Sequence, residues 1–269
     1  MRIGTNSAAL NATNRLNKVT AKLAKNSAQL SEGTRIQRAA DDAAGLALAE
    51  SFKAERTLAD QGRENIGLGS SALAIAEGTL QTVQQIDIER AEIAAQASNE
   101  TLSLEQRRAL DAQYQALGAQ REQTLASASV NGTPLFEGGG ATFSVQVGTS
   151  GGTNDRISVA ISSPTGSGGN LLDANAARAA LDSARAQVAS TAEAVGSLGA
   201  FTSRLDVADS NLASASSNYA AAESQIRDLD YAQALTERSS ILIQQRAATA
   251  VAAQANQQPD VVLRLLRNG

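Results

Sequence analysis

The stretch RIQRAADDAAGLALAE, Arg35 to Glu50, sets two carboxylates, Asp41 and Asp42, side by side among alanines. Paired carboxylates do acid and base work in glycoside hydrolysis, but there they face one another across a substrate at roughly 5–10 Å. Neighbours on a helix point about 100° apart, which is the wrong arrangement. A helix start uses both groups: one aspartate at the N-cap and one in the first turn accept backbone N–H bonds and meet the positive end of the helix dipole, with the cap contributing about 1 kcal/mol. Arg35 and Arg38 lie close enough in sequence to be ionic partners. The chain contains no histidine and no cysteine, which removes the commonest general base, transition-metal ligand and thiolate nucleophile. No catalytic, cofactor-binding or metal-ligating constellation is read, and the sequence points away from an enzyme.

Other short patterns carry less. The glycines Gly138 to Gly140 are not followed by GK[ST] and read as turn residues rather than a phosphate loop. Asn99-Glu100-Thr101 and Asn131-Gly132-Thr133 fit the N-glycosylation pattern, a match that arises often by chance. Ser162, Ser163, Thr165 and Ser167 form a hydroxyl-rich loop whose composition fits flexibility as well as O-linked sugar.

The 269 residues are 42% apolar, enough to bury a core, yet hold only four phenylalanines, three tyrosines and no tryptophan. Much of the apolar fraction is alanine, the best helix former, so long thin helical packing is expected. A formal charge of -4 without a basic run argues against nucleic acid as a partner. No apolar run approaches the roughly 20 residues that span a bilayer. Polar residues interrupt MRIGTNSAALNATNRL, so it does not read as a cleavable secretory signal.

The elements follow from hydrophobic periodicity. Phe52, Ala59, Ile66, Leu73 and Leu80 recur every seven residues, with Gly62, Gly69, Ala76 and Val83 as their partners three further on. Leu198, Leu205, Leu212, Tyr219 and Ile226 repeat the period near the other end. These are coiled-coil seams with small residues allowing close approach. Helices are expected over 43–97, 104–129 and 172–226. TFSVQVG and RISVAIS alternate around a turn and predict a β-hairpin within a central island over 130–170. The expected fold is mainly α: an elongated antiparallel helical bundle or coiled-coil rod with one small β-hairpin region in mid-chain. The helix over 43–97 would be roughly 80 Å long at 1.5 Å per residue.

The terminal helices have an apolar excess. Ile3, Leu10, Leu16, Leu23 and Leu30 mark one face of the first; Leu235, Ile241, Leu242, Val251, Val262, Leu265 and Leu266 spread too widely around the last for one partner to cover. The remainder predicts contacts between identical copies.

The segments NSAALNATNRLNK, LSEGTRIQRAADDAAGLALAESF and AAESQIRDLDYAQALTERSSILIQQRAATAVAAQANQQPDVVLRLLR resemble the bacterial flagellins, and the likeness covers nearly all of residues 1–130 and 171–267. It implies a filament subunit for swimming motility whose residues 1–40 and 227–269 form a terminal core domain and whose residues 41–226 form a rod domain, without large outer domains. It further implies a homopolymer outside the cell, type III export, an export chaperone, a cap protein and hook-junction proteins. The alternative is a hook-filament junction protein, which resembles flagellin at both termini. In flagellins sensed by the animal innate receptor, the family pattern sets an arginine and a glutamate on neighbouring rod helices around a leucine and a glutamine. The corresponding positions here are Glu89, Gln113, Ile93 and Gln96. Both charges of the pattern are missing, one of them reversed.

Overall fold

The computed structural model describes residues 6–166 and 168–267, with side chains to 257. Five α-helices carry it: α1 (Ser7–Glu32), α2 (Ala43–Ala97), α3 (Leu104–Ser127), α4 (Ala174–Arg227) and α5 (Tyr231–Arg267). Each begins where a short polar side chain takes up a first-turn amide. Asn6 accepts from the Ala9 amide at 3.0 Å, Asp42 from Gly45 at 2.9 Å, Asp173 from Ala176 at 2.8 Å and Asp230 from Gln233 at 3.0 Å. Ser103 and Gln106 form a reciprocal capping box on α3.

Between α3 and α4 lie two hairpins. β1 (Ser129–Val130) pairs with β2 (Thr133–Pro134), and β3 (Thr142–Gln146) pairs antiparallel with β4 (Arg156–Ala160), Thr142 opposite Ala160 and Gln146 opposite Arg156. The second is the hairpin expected from the alternation. The first occupies what reads in sequence as a simple helix stop. Asn131 and Gly132 both take positive φ, 51° and 80°, the conformation that a two-residue hairpin turn requires. Because Ser129 joins β1, α3 ends at Ser127, short of the expected 129.

The chain forms two compact units, residues 1–54 with 218–269, and residues 55–217. Their boundaries fall inside α2 and α4. In the second unit the predicted period becomes a core: Ala59, Ile66, Leu73, Ala76, Leu80 and Val83 of α2 are buried with Ala194, Leu198, Leu205 and Leu212 of α4 and with Val145, Ile157 and Val159 of the β3–β4 hairpin. The α2 glycines make this approach possible. A Cβ at Gly62 would stand 2.9 Å from Leu212 Cδ1 and one at Gly69 2.8 Å from Val145 Cγ2, closer than van der Waals contact allows.

In the first unit α1 packs antiparallel along α5. Asn6 Nδ2 donates to the Ala255 carbonyl at 2.8 Å and Asn26 Nδ2 to the Ala234 carbonyl at 3.2 Å. The connections beside this pair are stitched together: the Arg35 amide and guanidinium donate to the Arg227 and Ile226 carbonyls, each at 2.7 Å, and the Leu229 amide donates to Gly33 at 3.0 Å.

Candidate assembly surface and buried charge layer

Asp42 is the N-cap of α2, whereas Asp41 lies ahead of the helix rather than in its first turn. Its carboxylate closes the preceding turn by accepting from the Arg38 and Gln37 amides at 3.2 and 3.4 Å. Its ionic partner is Lys25 of α1, at 2.7 Å, and not Arg35 or Arg38. The Lys25 ammonium, with those two amides, holds the Asp41 carboxyl below the ordinary carboxylate range against a smaller opposing effect of burial.

Of the expected seam residues, Ile66, Leu73, Leu80, Leu198, Leu205 and Leu212 are buried, while Phe52, Tyr219 and Ile226 are half-buried. Phe52 stacks on Tyr219 with ring centroids 6.2 Å apart, inside the first unit.

The residues expected at an assembly surface divide differently. Ile241 is buried, and Leu16, Leu23, Leu30 and Leu242 are half-buried. Leu10, Leu235 and Val251 remain 61%, 52% and 55% exposed, and Ile243 beside them 68%. Ile3 and the side chains of Val262, Leu265 and Leu266 lie outside the described residues. The buried set of the α1–α5 pair is mostly small, with Ala12, Ala234 and Ala255 beside Asn26 and Ile241. With alanines filling much of that contact, Leu10, Leu235, Ile243 and Val251 remain outside it.

A constellation in the second unit escaped the sequence reading. Continuing the α2 period beyond Leu80 and Val83 reaches Asp87 and Arg90, then Ala94 and Ala97, all buried. On α4 the same period running backward from Leu198 and Ala194 reaches Thr191 and Gln187, also buried. The seam is therefore charged for one layer. Asp87 Oδ1 accepts from Arg121 Nε of α3 at 2.8 Å and Oδ2 from Thr191 Oγ1 at 3.1 Å. Arg121 Nη2 reaches the Pro164 carbonyl at 3.1 Å. Arg90 Nη1 donates to Gln187 Oε1 at 2.6 Å, and its guanidinium lies 4.2 Å from the centre of the buried Tyr114 ring, a cation–π contact. Burial raises the Asp87 carboxyl above the ordinary range even though Arg121 and Thr191 act against it. Burial likewise raises the Tyr114 phenol. The layer is buried and joins α2, α3, α4 and the segment at Pro164.

The receptor-equivalent positions flank this layer from outside. Glu89, Gln96 and Gln113 are exposed, and Ile93 is half-buried against the cluster of Ala94, Ala97 and Tyr114. Among the described residues no group of three or more acidic, histidine or cysteine side chains is placed to hold a metal, and no helix is long and apolar enough to cross a membrane.

Long helices on heptad seams, a small β island and a terminal helix pair rich in exposed apolar side chains define a structural, helical protein. Comparison with known proteins makes the assignment specific. Residues 3–141 match the bacterial flagellin N-terminal helical region and residues 179–266 the bacterial flagellin C-terminal helical region. A flagellin of Halalkalibacterium halodurans is 35% identical over 89% of this chain and 90% of its own length. That of Bacillus subtilis is 33% identical over 99% of this chain and all of its own. The crystal structure of Bacillus cereus flagellin shares the fold, with a TM-score of 0.51 at 20% identity over 55% of this chain and 88% of that one. The chain belongs to the bacterial flagellin family. It is a structural subunit of the flagellar filament and not an enzyme, and the junction-protein alternative is not favoured.

Proposed function

We propose that the α1–α5 pair is the surface through which copies of this chain join, and that residues 1–40 and 227–269 line the filament core. The observation carrying this reading is the exposure of Leu10, Leu235, Ile243 and Val251 on a pair whose own contact is built largely of alanine. Apolar surface left in water on a monomer is covered when a neighbour arrives, so association and ordering of the terminal helices are one process. The expected rod domain, 41–226, then supplies the stiff outer part. On this reading the chain is exported without a cleaved signal, a chaperone covers the C-terminal helix beforehand, and a cap protein and hook-junction proteins receive it at the filament ends. Removal of Leu235 to Gly269 tests the mapping. The truncated chain should stay soluble and largely helical by circular dichroism and should not polymerise on seeding; long filaments from it would place the self-association surface elsewhere.

A further inference from the structure

The turn between β1 and β2 places a reactive pair at the surface. Asn131 and Gly132 are both exposed, both at positive φ, and a Cβ built on Gly132 would meet nothing within 4 Å. The Gly132 amide donates to no acceptor among the described residues. Its nitrogen is therefore free to serve as a nucleophile, and the carboxamide carbon it would attack belongs to the residue just before it. The absence of a Gly132 side chain removes the usual steric barrier to that approach.

We infer that Asn131 is a site of spontaneous covalent modification in the folded protein, converting through a cyclic imide to aspartate and isoaspartate. The Gly132 amide loses its proton to solvent base, and the nitrogen forms a bond to Asn131 Cγ. The Cγ–Nδ2 bond breaks, and the leaving nitrogen departs as ammonia after taking up a proton from solvent. Water then opens the five-membered imide at either carbonyl, returning the main chain to its normal path or routing it through Cβ. No oxidant or reductant enters. Every other asparagine in the described residues lacks a following glycine, and most lie in helices, where the next amide is engaged in the helical ladder.

The consequence is local and directed. Asn131 lines a groove of about 490 Å³ whose walls are both apolar, with Leu68, Ala72 and Phe143, and polar, with Asn65 and Gln146. Aspartate adds a negative charge at its rim. Isoaspartate adds a backbone atom to a two-residue turn whose register sets Val130 opposite Thr133 and Ser129 opposite Pro134, and the two pairings cannot both survive that insertion. Age would thus be written on the hairpin, in a structural protein used outside the cell.

The test uses full-length folded protein incubated at about pH 8 and at a mildly acidic pH, then digested briefly with trypsin near neutral pH beside an unincubated control. One peptide, residues 122–156, carries both Asn131 and Asn154, and the amide after Asn154 is held by the Gly152 carbonyl at 3.2 Å. The expected result is a mass gain at Asn131, with isoaspartate among the products, accumulating with pH and about tenfold or more faster than at Asn154. Any smaller ratio in the folded protein, or conversion only after unfolding in denaturant, overturns the assignment.

Discussion

The two compact units are built from the same kind of helix and reach different degrees of self-sufficiency. In residues 55–217 the heptad seams of α2 and α4 close on each other and on the β3–β4 hairpin, so the seam residues Ile66, Leu73, Leu80, Leu198, Leu205 and Leu212 are inside, while Leu58, Leu68 and Ile75 on other faces stay exposed. In the α1–α5 pair the buried side chains among the described residues are alanines, Asn26 and the single large apolar residue Ile241, Leu16, Leu23, Leu30 and Leu242 are half-buried, and Leu10, Leu235, Ile243 and Val251 are exposed. A seam needs large apolar groups on both sides to offset the conformational entropy of a long helix. The first unit spends those groups elsewhere. That contrast is what the proposed covering of the terminal pair by neighbouring copies needs.

The largest effect that would break the comparison is in the core of the second unit. Leu212 packs against Gly62 with room for nothing more, so Leu212→Asp buries an unpaired carboxylate and should cost several kcal/mol. Thermal unfolding close to wild type would show that the second unit does not depend on this seam.

The charge layer sharpens the comparison further. Asp87→Leu alone strands the buried Arg121 guanidinium, and Arg121→Met alone strands Asp87; each should cost about 3–5 kcal/mol, whereas the double variant should recover most of it. Equal losses that simply add in denaturant unfolding would contradict the coupling. The pH dependence follows from the raised Asp87 group. With a folded pKa above the unfolded one, the native state binds its proton first, so the Asp87 contribution to stability rises as pH falls from the folded value to the ordinary carboxylate range. Asp41 behaves oppositely: its contribution is present above the ordinary range and is lost as pH falls through its lowered value. Subtracting the double variant's pH profile from wild type should isolate the first trend.

The smallest effect on the fold belongs to the exposed positions Glu89 and Gln113. We propose that these keep the innate receptor from engaging the rod, since a charge reversed against a like charge costs an interface several kcal/mol. Monomeric wild type should activate receptor-bearing reporter cells weakly, and Glu89→Arg with Gln113→Glu should gain activity without shifting thermal unfolding. Full activation by wild type would end that reading.

Much of this architecture is legible in the sequence because its signals are periodic. The seam from Ala59 to Val83, the seam from Leu198 to Leu212 and the alternation in TFSVQ and RISVA each coincide with a buried face. The charge layer was missed for a physical reason: charged residues are ordinarily assigned to the solvent face, so a period search stops at Asp87 although Ala94 and Ala97 carry it on. The division of labour between Asp41 and Asp42 was equally hidden, because either carboxylate can cap and only the fold brings Lys25 to one of them. Val130 to Pro134 reads as a helix stop, and the pairing of its two flanks depends on the positive φ that Asn131 and Gly132 accept.

The central claim, that the terminal pair is completed by neighbouring copies while residues 55–217 stand alone, is tested most directly by amide hydrogen exchange on monomer and filament. The account predicts strong protection of 55–217 in both states, and fast exchange in 7–32 and 231–257 of the monomer that becomes slow in the filament. Terminal helices as protected in the monomer as in the filament would contradict it.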